Sequence, residues 1–137
     1  MTIGVGEAPI RFSRAGVQSQ PGTAGKLIPA ADQVEWCLKH LGEQITGVAV
    51  GAADGDELRK WADEILQVGK DAEERLSLLF ALGLRIETRF DDETAQRFFT
   101  SANAFLDDEA PLELIATMEP DLARARIMGA VRVLLGR

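Results

Sequence analysis

From Lys70 to Arg89 the chain repeats apolar residues at steps of three and four: Ala72, Leu76 beside Arg75, Leu79-Phe80, Leu82-Gly83 and Ile86. That spacing puts them on one stripe of an α-helix, and such a stripe has to be covered by other elements. A half-buried strand would need strict alternation, and alternating β-branched stretches are missing from the sequence. Ala, Leu, Glu and Arg abound and Tyr is absent, a balance of strong helix formers. The expected fold class is all-α. Gly83 interrupts the stripe at a cost of about 1 kcal/mol against Ala, so it is expected to permit a close helix contact.

Around this helix the chain divides into an arm over residues 1–30, a small helical module over 31–69 and a second helical module over 70–137. Residues 1–30 are rich in Gly, Ser, Gln and Pro and show no period, the signature of a flexible arm. Asp32 can cap a first helix with Val34, Trp36, Cys37, Leu38 and Leu41 on its apolar face, ended by Gly42. A second helix runs from Glu43 through Ile45, Val48 and Val50 to Gly51. The turn Ala52-Ala53-Asp54-Gly55 then leads into a third helix carrying Arg59, Lys60 and Trp61. Two short helices joined by a tight turn predict a helix-turn-helix-like module packed on the module that follows. Asp91 or Asp92 caps the helix of Ala95, Phe98 and Phe99, and a loop holding Asn103 follows. Pro111 opens the next helix and Pro120 the last, which runs through Leu122, Ile127, Val131, Leu134 and Leu135 to Gly136.

Charge narrows the partners. The net charge of −7 is uneven, with +2 on residues 1–30 and −9 on the remainder. A globular part this acidic repels nucleic acid unless its basic groups gather on one face. The proposed recognition helix makes that harder. Asp54, Asp56 and Glu57 occupy the turn that would face base edges, against only Arg59 and Lys60. Arg59 and Lys60 are therefore weak DNA-binding candidates, and the helix pair is better read as a shape kept for packing.

Groups able to do chemistry are few. His40 is the only histidine and lies near the end of the first helix, where an imidazole commonly packs or meets free carbonyls. Cys37 beside Trp36 reads as a small buried apolar residue. The sequence has no Cys/His spacing suited to zinc, and Gly47 to Gly51 is wrongly spaced for a phosphate loop. No catalytic residues, metal or cofactor are assigned, and an enzyme is not expected. A lone cysteine, no signal-peptide pattern and no long apolar run favour a cytoplasmic protein without a membrane span.

The most specific segment is Phe98 to Ile115. An aromatic residue, Phe98, is followed by Asn103, Leu106 and the block Pro111-Leu112-Glu113-Leu114-Ile115. In that order the segment resembles the toxin-binding domain of the Xre/MbcA/ParS family of bacterial antitoxins. Asp107-Asp108 stand where that family usually has a Gly-Gly turn. Arg59-Lys60-Trp61 resembles the Arg-x-Trp ending of the family's recognition helix, so the likeness covers roughly residues 31–136. The resemblance implies an antitoxin of a type II toxin-antitoxin system that binds a RES-domain toxin. RES-domain toxins consume NAD, and the antitoxin's C-terminal segment is expected to close the NAD pocket. The toxin-binding residues implied here are Asn103, Arg132, Leu134, Leu135, Gly136 and Arg137, with Arg137 as the plug. A homodimer within a hetero-oligomer and weak binding of operator DNA are implied as well. The rival reading is a DNA-binding transcription regulator without a toxin partner, with the +2 arm supplying phosphate contacts.

Overall fold

The computed structural model describes residues 28–136. Most of the expected arm and Arg137 lie outside the described residues. Within them the chain is all-α, with seven α-helices and one 3-10 turn. The helices are α1 (Ala30–His40), α2 (Glu43–Val50), α3 (Gly55–Ala62), α4 (Lys70–Glu87), α5 (Asp92–Thr100), α6 (Pro111–Thr117) and α7 (Pro120–Leu135). The 3-10 turn Ala104–Leu106 lies between α5 and α6. No helix among the described residues is long and apolar enough to cross a membrane.

Local chemistry sets most of these boundaries. Gly42 and Gly51 adopt positive φ (97° and 75°) and let the chain leave α1 and α2. Asp54 accepts the Glu57 N–H while Glu57 Oε1 accepts the Ala53 N–H, a reciprocal cap at the start of α3. Asp91 rather than Asp92 caps α5, accepting from the Thr94 N–H. One start departs from expectation. α1 begins behind Pro29, without a side-chain cap, and Asp32 sits inside its first turn. The third helix stops at Ala62, where Glu64 turns to φ 64° and the Ile65 and Leu66 N–H groups fold back on the Lys60 carbonyl.

α4 is the element about which the others assemble. α1 and α2 pack on it, with α1 meeting its later turns at Gly83 and Glu87, and α5, α6 and α7 also touch it. Its stripe of Leu76, Leu79, Leu82 and Ile86 is fully buried, joined by Leu78, Val34, Cys37, Phe99, Ile115, Ile127 and Val131 in one continuous core. Each such Leu, Ile or Phe contributes about 2 kcal/mol of transfer free energy. Gly83 has the expected role: a Cβ there would stand 3.0 Å from Trp36 Cζ3, so its absence lets α1 close on α4. Burial sends the Cys37 thiol upward in pKa, which keeps it a protonated core group. Val48 and Leu122, both placed on apolar faces by periodicity, are exposed instead.

α6 is tied to α4 by one cation. Arg75 Nη1 donates to the carbonyls of Ile115 (2.6 Å) and Met118 (2.7 Å), groups that the short α6 leaves without helical partners. The same guanidinium meets Asp71 through Nε at 3.0 Å.

Candidate functional site

The segment Asn103 to Glu109 forms a closed loop on the outside of α7. Asn103 Oδ1 accepts the Phe105 N–H at 2.9 Å, and the Asn103 carbonyl accepts from Leu106 and Asp108. The Asn103 N–H donates to the Glu109 carbonyl at 3.2 Å and shuts the loop. Asp107 and Asp108 both take left-handed backbone (φ 58° and 66°), the conformation glycine adopts most readily. Asp and Asn tolerate it better than other side-chain-bearing residues. Pro111 occupies the first turn of α6, where its missing N–H leaves nothing unsatisfied.

Phe105 projects from this loop and lies across Gly129 of α7. A Cβ at position 129 would stand 2.9 Å from Phe105 Cζ and closer still to Cε2, so glycine there seats the ring. Phe105 remains 57% exposed, as do Leu122 (61%) and Val133 (46%). Leu122, Arg126, Gly129 and Val133 follow at steps of four, three and four, one outer face of α7. Arg126 also reaches Asp107 of the loop at 3.3 Å. The result is an apolar outer stripe with Phe105 at its middle.

Next to this stripe α5, the loop and α7 enclose a groove of about 330 Å³. Phe98, Ala102, Ala130, Val133 and Leu134 give it apolar walls, and Thr94, Arg97, Ser101 and Asn103 supply polar groups at its margin. Such a concavity can take an apolar side chain and hydrogen-bond the backbone beside it.

The sequence-assigned residues divide here. Asn103 and Leu134 meet at the groove. Arg132 is exposed on α7 and does not line it, nor do Leu135 and Gly136. Leu135 packs against the core, its carbonyl accepting from Arg89, which lies just past the end of α4. Gly136 caps α7, with its N–H on the Arg132 carbonyl, and Arg137 is outside the described residues. Sequence reasoning missed Arg97, Phe105 and Val133. The four-three-four spacing on α7 was available as a signal for Val133, but it needs the partner loop to show which face stays open.

Arg59 and Lys60 lie on α3, far in sequence from this groove. Each is paired on its own helix, Arg59 with Asp63 (4.0 Å) and Lys60 with Asp56 (3.2 Å). Both cations are exposed, and such pairs are individually weak. They nevertheless set two carboxylates beside the only two basic groups that α3 offers a phosphate.

A third group of side chains joins residues distant in sequence. His40 Nδ1 stands 2.7 Å from Asp92 Oδ1 and 3.7 Å from Glu87 Oε1. The imidazole stacks on Trp36 at 4.4 Å, and Gln96 Nε2 donates to the His40 carbonyl at 3.0 Å. Burial, then the hydrogen bond and charge of Asp92, push the Glu87 carboxyl up to about 7. Hydrogen bonds from Glu87 and His40 hold Asp92 below the usual carboxylate range. The nearest polar atoms of His40, Glu87 and Asp92 lie within 4.8 Å of one another. Searches against family models, curated proteins and solved structures give no match to this chain.

Proposed function

We propose that this protein is the antitoxin of a type II toxin-antitoxin pair. It would act as a stoichiometric inhibitor that binds a RES-domain toxin and blocks its NAD pocket, with no catalysis of its own. The observation that carries this reading is the unit formed by the resembling residues. Asn103 closes a loop whose Asp107-Asp108 pair holds glycine-like backbone, and that loop presents Phe105 beside the exposed face of α7. The family pattern has Gly-Gly at those two positions, so an unusual pair of residues here keeps the backbone such a pattern requires. The groove lined by Asn103, Val133 and Leu134 next to it gives a partner both a pocket and an apolar stripe. Arg132, exposed on α7, carries the forked cation that pairs with an acidic or phosphate-binding pocket, and Arg137 is a second arginine of the same C-terminal sequence.

In this reading α2 and α3 keep a helix-turn-helix shape for packing. Operator binding has less support, because Arg59 and Lys60 are each paired with a carboxylate and the first turn of α3 is acidic. The α7 surface would dock the toxin within a hetero-oligomer built on an antitoxin dimer.

The test is whether a RES-domain gene lies directly adjacent to this one and whether NAD consumption by its product is titrated away by this protein. One equivalent should abolish turnover, and the two proteins should purify together. Replacing Arg137 with Ala should weaken inhibition by about 1–3 kcal/mol if it makes a charge-assisted contact. Removing Leu134 to Arg137 should abolish inhibition, with thermal melting followed in parallel because Leu134 and Leu135 also cover the core. Full inhibition by a folded protein lacking those four residues would refute the plug.

A further inference from the structure

The His40, Glu87 and Asp92 cluster joins three elements and has no part in the groove. His40 ends α1, Glu87 ends α4 and Asp92 opens α5. Two carboxyl groups at such a junction repel unless a positive charge or a shared proton lies between them. Glu87 Oε2 is buried without a hydrogen-bond partner and the Glu87 side chain is only 16% exposed, so water relieves the half-exposed Asp92 carboxylate but not Glu87 Oε2. The 2.7 Å separation of His40 Nδ1 and Asp92 Oδ1 is a hydrogen-bond distance. Two ligands on one zinc ion, each bound at about 2.0–2.2 Å, would stand farther apart. The geometry therefore favours a proton over a metal.

We propose that His40, Glu87 and Asp92 form a proton-held latch between the end of α1 and the corner joining α4 to α5. The latch is closed while Glu87 keeps its proton and donates it toward the Asp92 carboxylate, which also accepts from His40. As pH rises the Glu87 proton passes to bulk water, and two carboxylates then face each other beside one imidazole. The other charges acting on the pair are Lys39 of α1, which favours the Asp92 carboxylate, and Asp91, which opposes ionisation of Glu87. Gln96 adds a neutral tie to the His40 carbonyl that does not titrate.

The direction follows from linkage. A carboxyl whose folded value is raised to about 7 from 4.5 binds more protons folded than unfolded between those two values. Its stabilising contribution is complete below pH 4.5 and is lost as pH rises through about 7. Asp92, shifted downward, has its contribution present above its ordinary value and lost only in acid. The latch therefore loosens toward neutral and alkaline pH.

The experiment compares the full-length protein with Glu87→Gln by denaturant unfolding between pH 4.5 and 8, in the presence of a chelator. Glutamine keeps a donor toward Asp92 and cannot ionise. Relative to the variant, the wild-type unfolding constant should rise by about tenfold or more across the window, as one or more pK units of linkage require. Amide protection at Leu41 to Gln44 and at the start of α5, taken relative to the intrinsic exchange rate at each pH, should fall with pH in the wild type only. Should Glu87→Gln fail to fold, Asp92→Asn supplies the same comparison, because without the neighbouring carboxylate the loss moves to lower pH. Parallel pH curves for wild type and variant would overturn the latch. So would recovery of the lost stability at pH 8 on adding zinc in place of chelator, which would assign the site to a cation.

Discussion

Replacing Arg75 with Met should be the most damaging single change at an incompletely buried position. The side chain is 15% exposed, and its stem lies along the stripe that α4 presents to the core. Methionine keeps that packing and removes the fork. What is lost are two charge-assisted hydrogen bonds, at 2.6 and 2.7 Å, to the carbonyls of Ile115 and Met118. Bonds to a charged group contribute about 1.5–3 kcal/mol each, and a carbonyl left unpaired carries its own desolvation penalty. Because the site is only part-buried, water recovers some of this, and a total of about 2–4 kcal/mol is expected. For a chain of 137 residues that corresponds to a fall in Tm of roughly 7–14 °C. The ion pair with Asp71 accounts for little of it, since that carboxylate is mostly exposed, and Asp71→Ala should cost about 0.5 kcal/mol or less. Arg75→Lys should fall between, because an ammonium cannot span both carbonyls with the same fixed fork. Thermal melting by far-UV circular dichroism reads all three variants. A melt for Arg75→Met within about 2 °C of wild type would show that α6 is held by its apolar face alone.

Two further outcomes are expected. Gly129→Ala should change stability by less than about 1 kcal/mol, because the gain in helix propensity offsets displacement of the exposed Phe105 ring. The same change made in a Phe105→Ala background should stabilise by about 1 kcal/mol, and denaturant unfolding showing a loss there instead would mean that something other than the ring fills the space. Binding to duplex DNA should be weak and steeply salt-dependent, and Asp56→Asn should strengthen it by releasing Lys60. Glu57→Gln should do less for DNA, because Glu57 Oε1 is occupied by the Ala53 N–H; tight, salt-insensitive binding by the unaltered protein in a gel-shift titration would refute this account of α3.

The fold was legible where one local rule decided the outcome. The three-and-four spacing of Leu76, Leu79, Leu82 and Ile86 specifies a buried helix whatever surrounds it. Pro111, Pro120, Gly42 and Gly51 mark ends because their backbone preferences act within a few residues. Asp32 and Val48 were misread because capping and burial depend on neighbours that the local pattern does not contain. Pro29 starts α1 one turn earlier than the Asp32 cap requires, and among the described residues no helix covers the face of α2 on which Val48 lies. The sites follow the same division. Asn103 was singled out by its place in the family pattern, and the structure shows it closing its loop by local hydrogen bonds. Arg75 could not: its spacing placed it beside the apolar stripe, and its use depends on two carbonyls forty and more residues away. His40, Glu87 and Asp92 have no common spacing at all, and only the packing of α1 and α5 against the end of α4 makes them a cluster. What sequence conceals in this protein is therefore the set of polar contacts between helices. Their partners are chosen by tertiary packing, while the helices that carry them are chosen by residues near at hand.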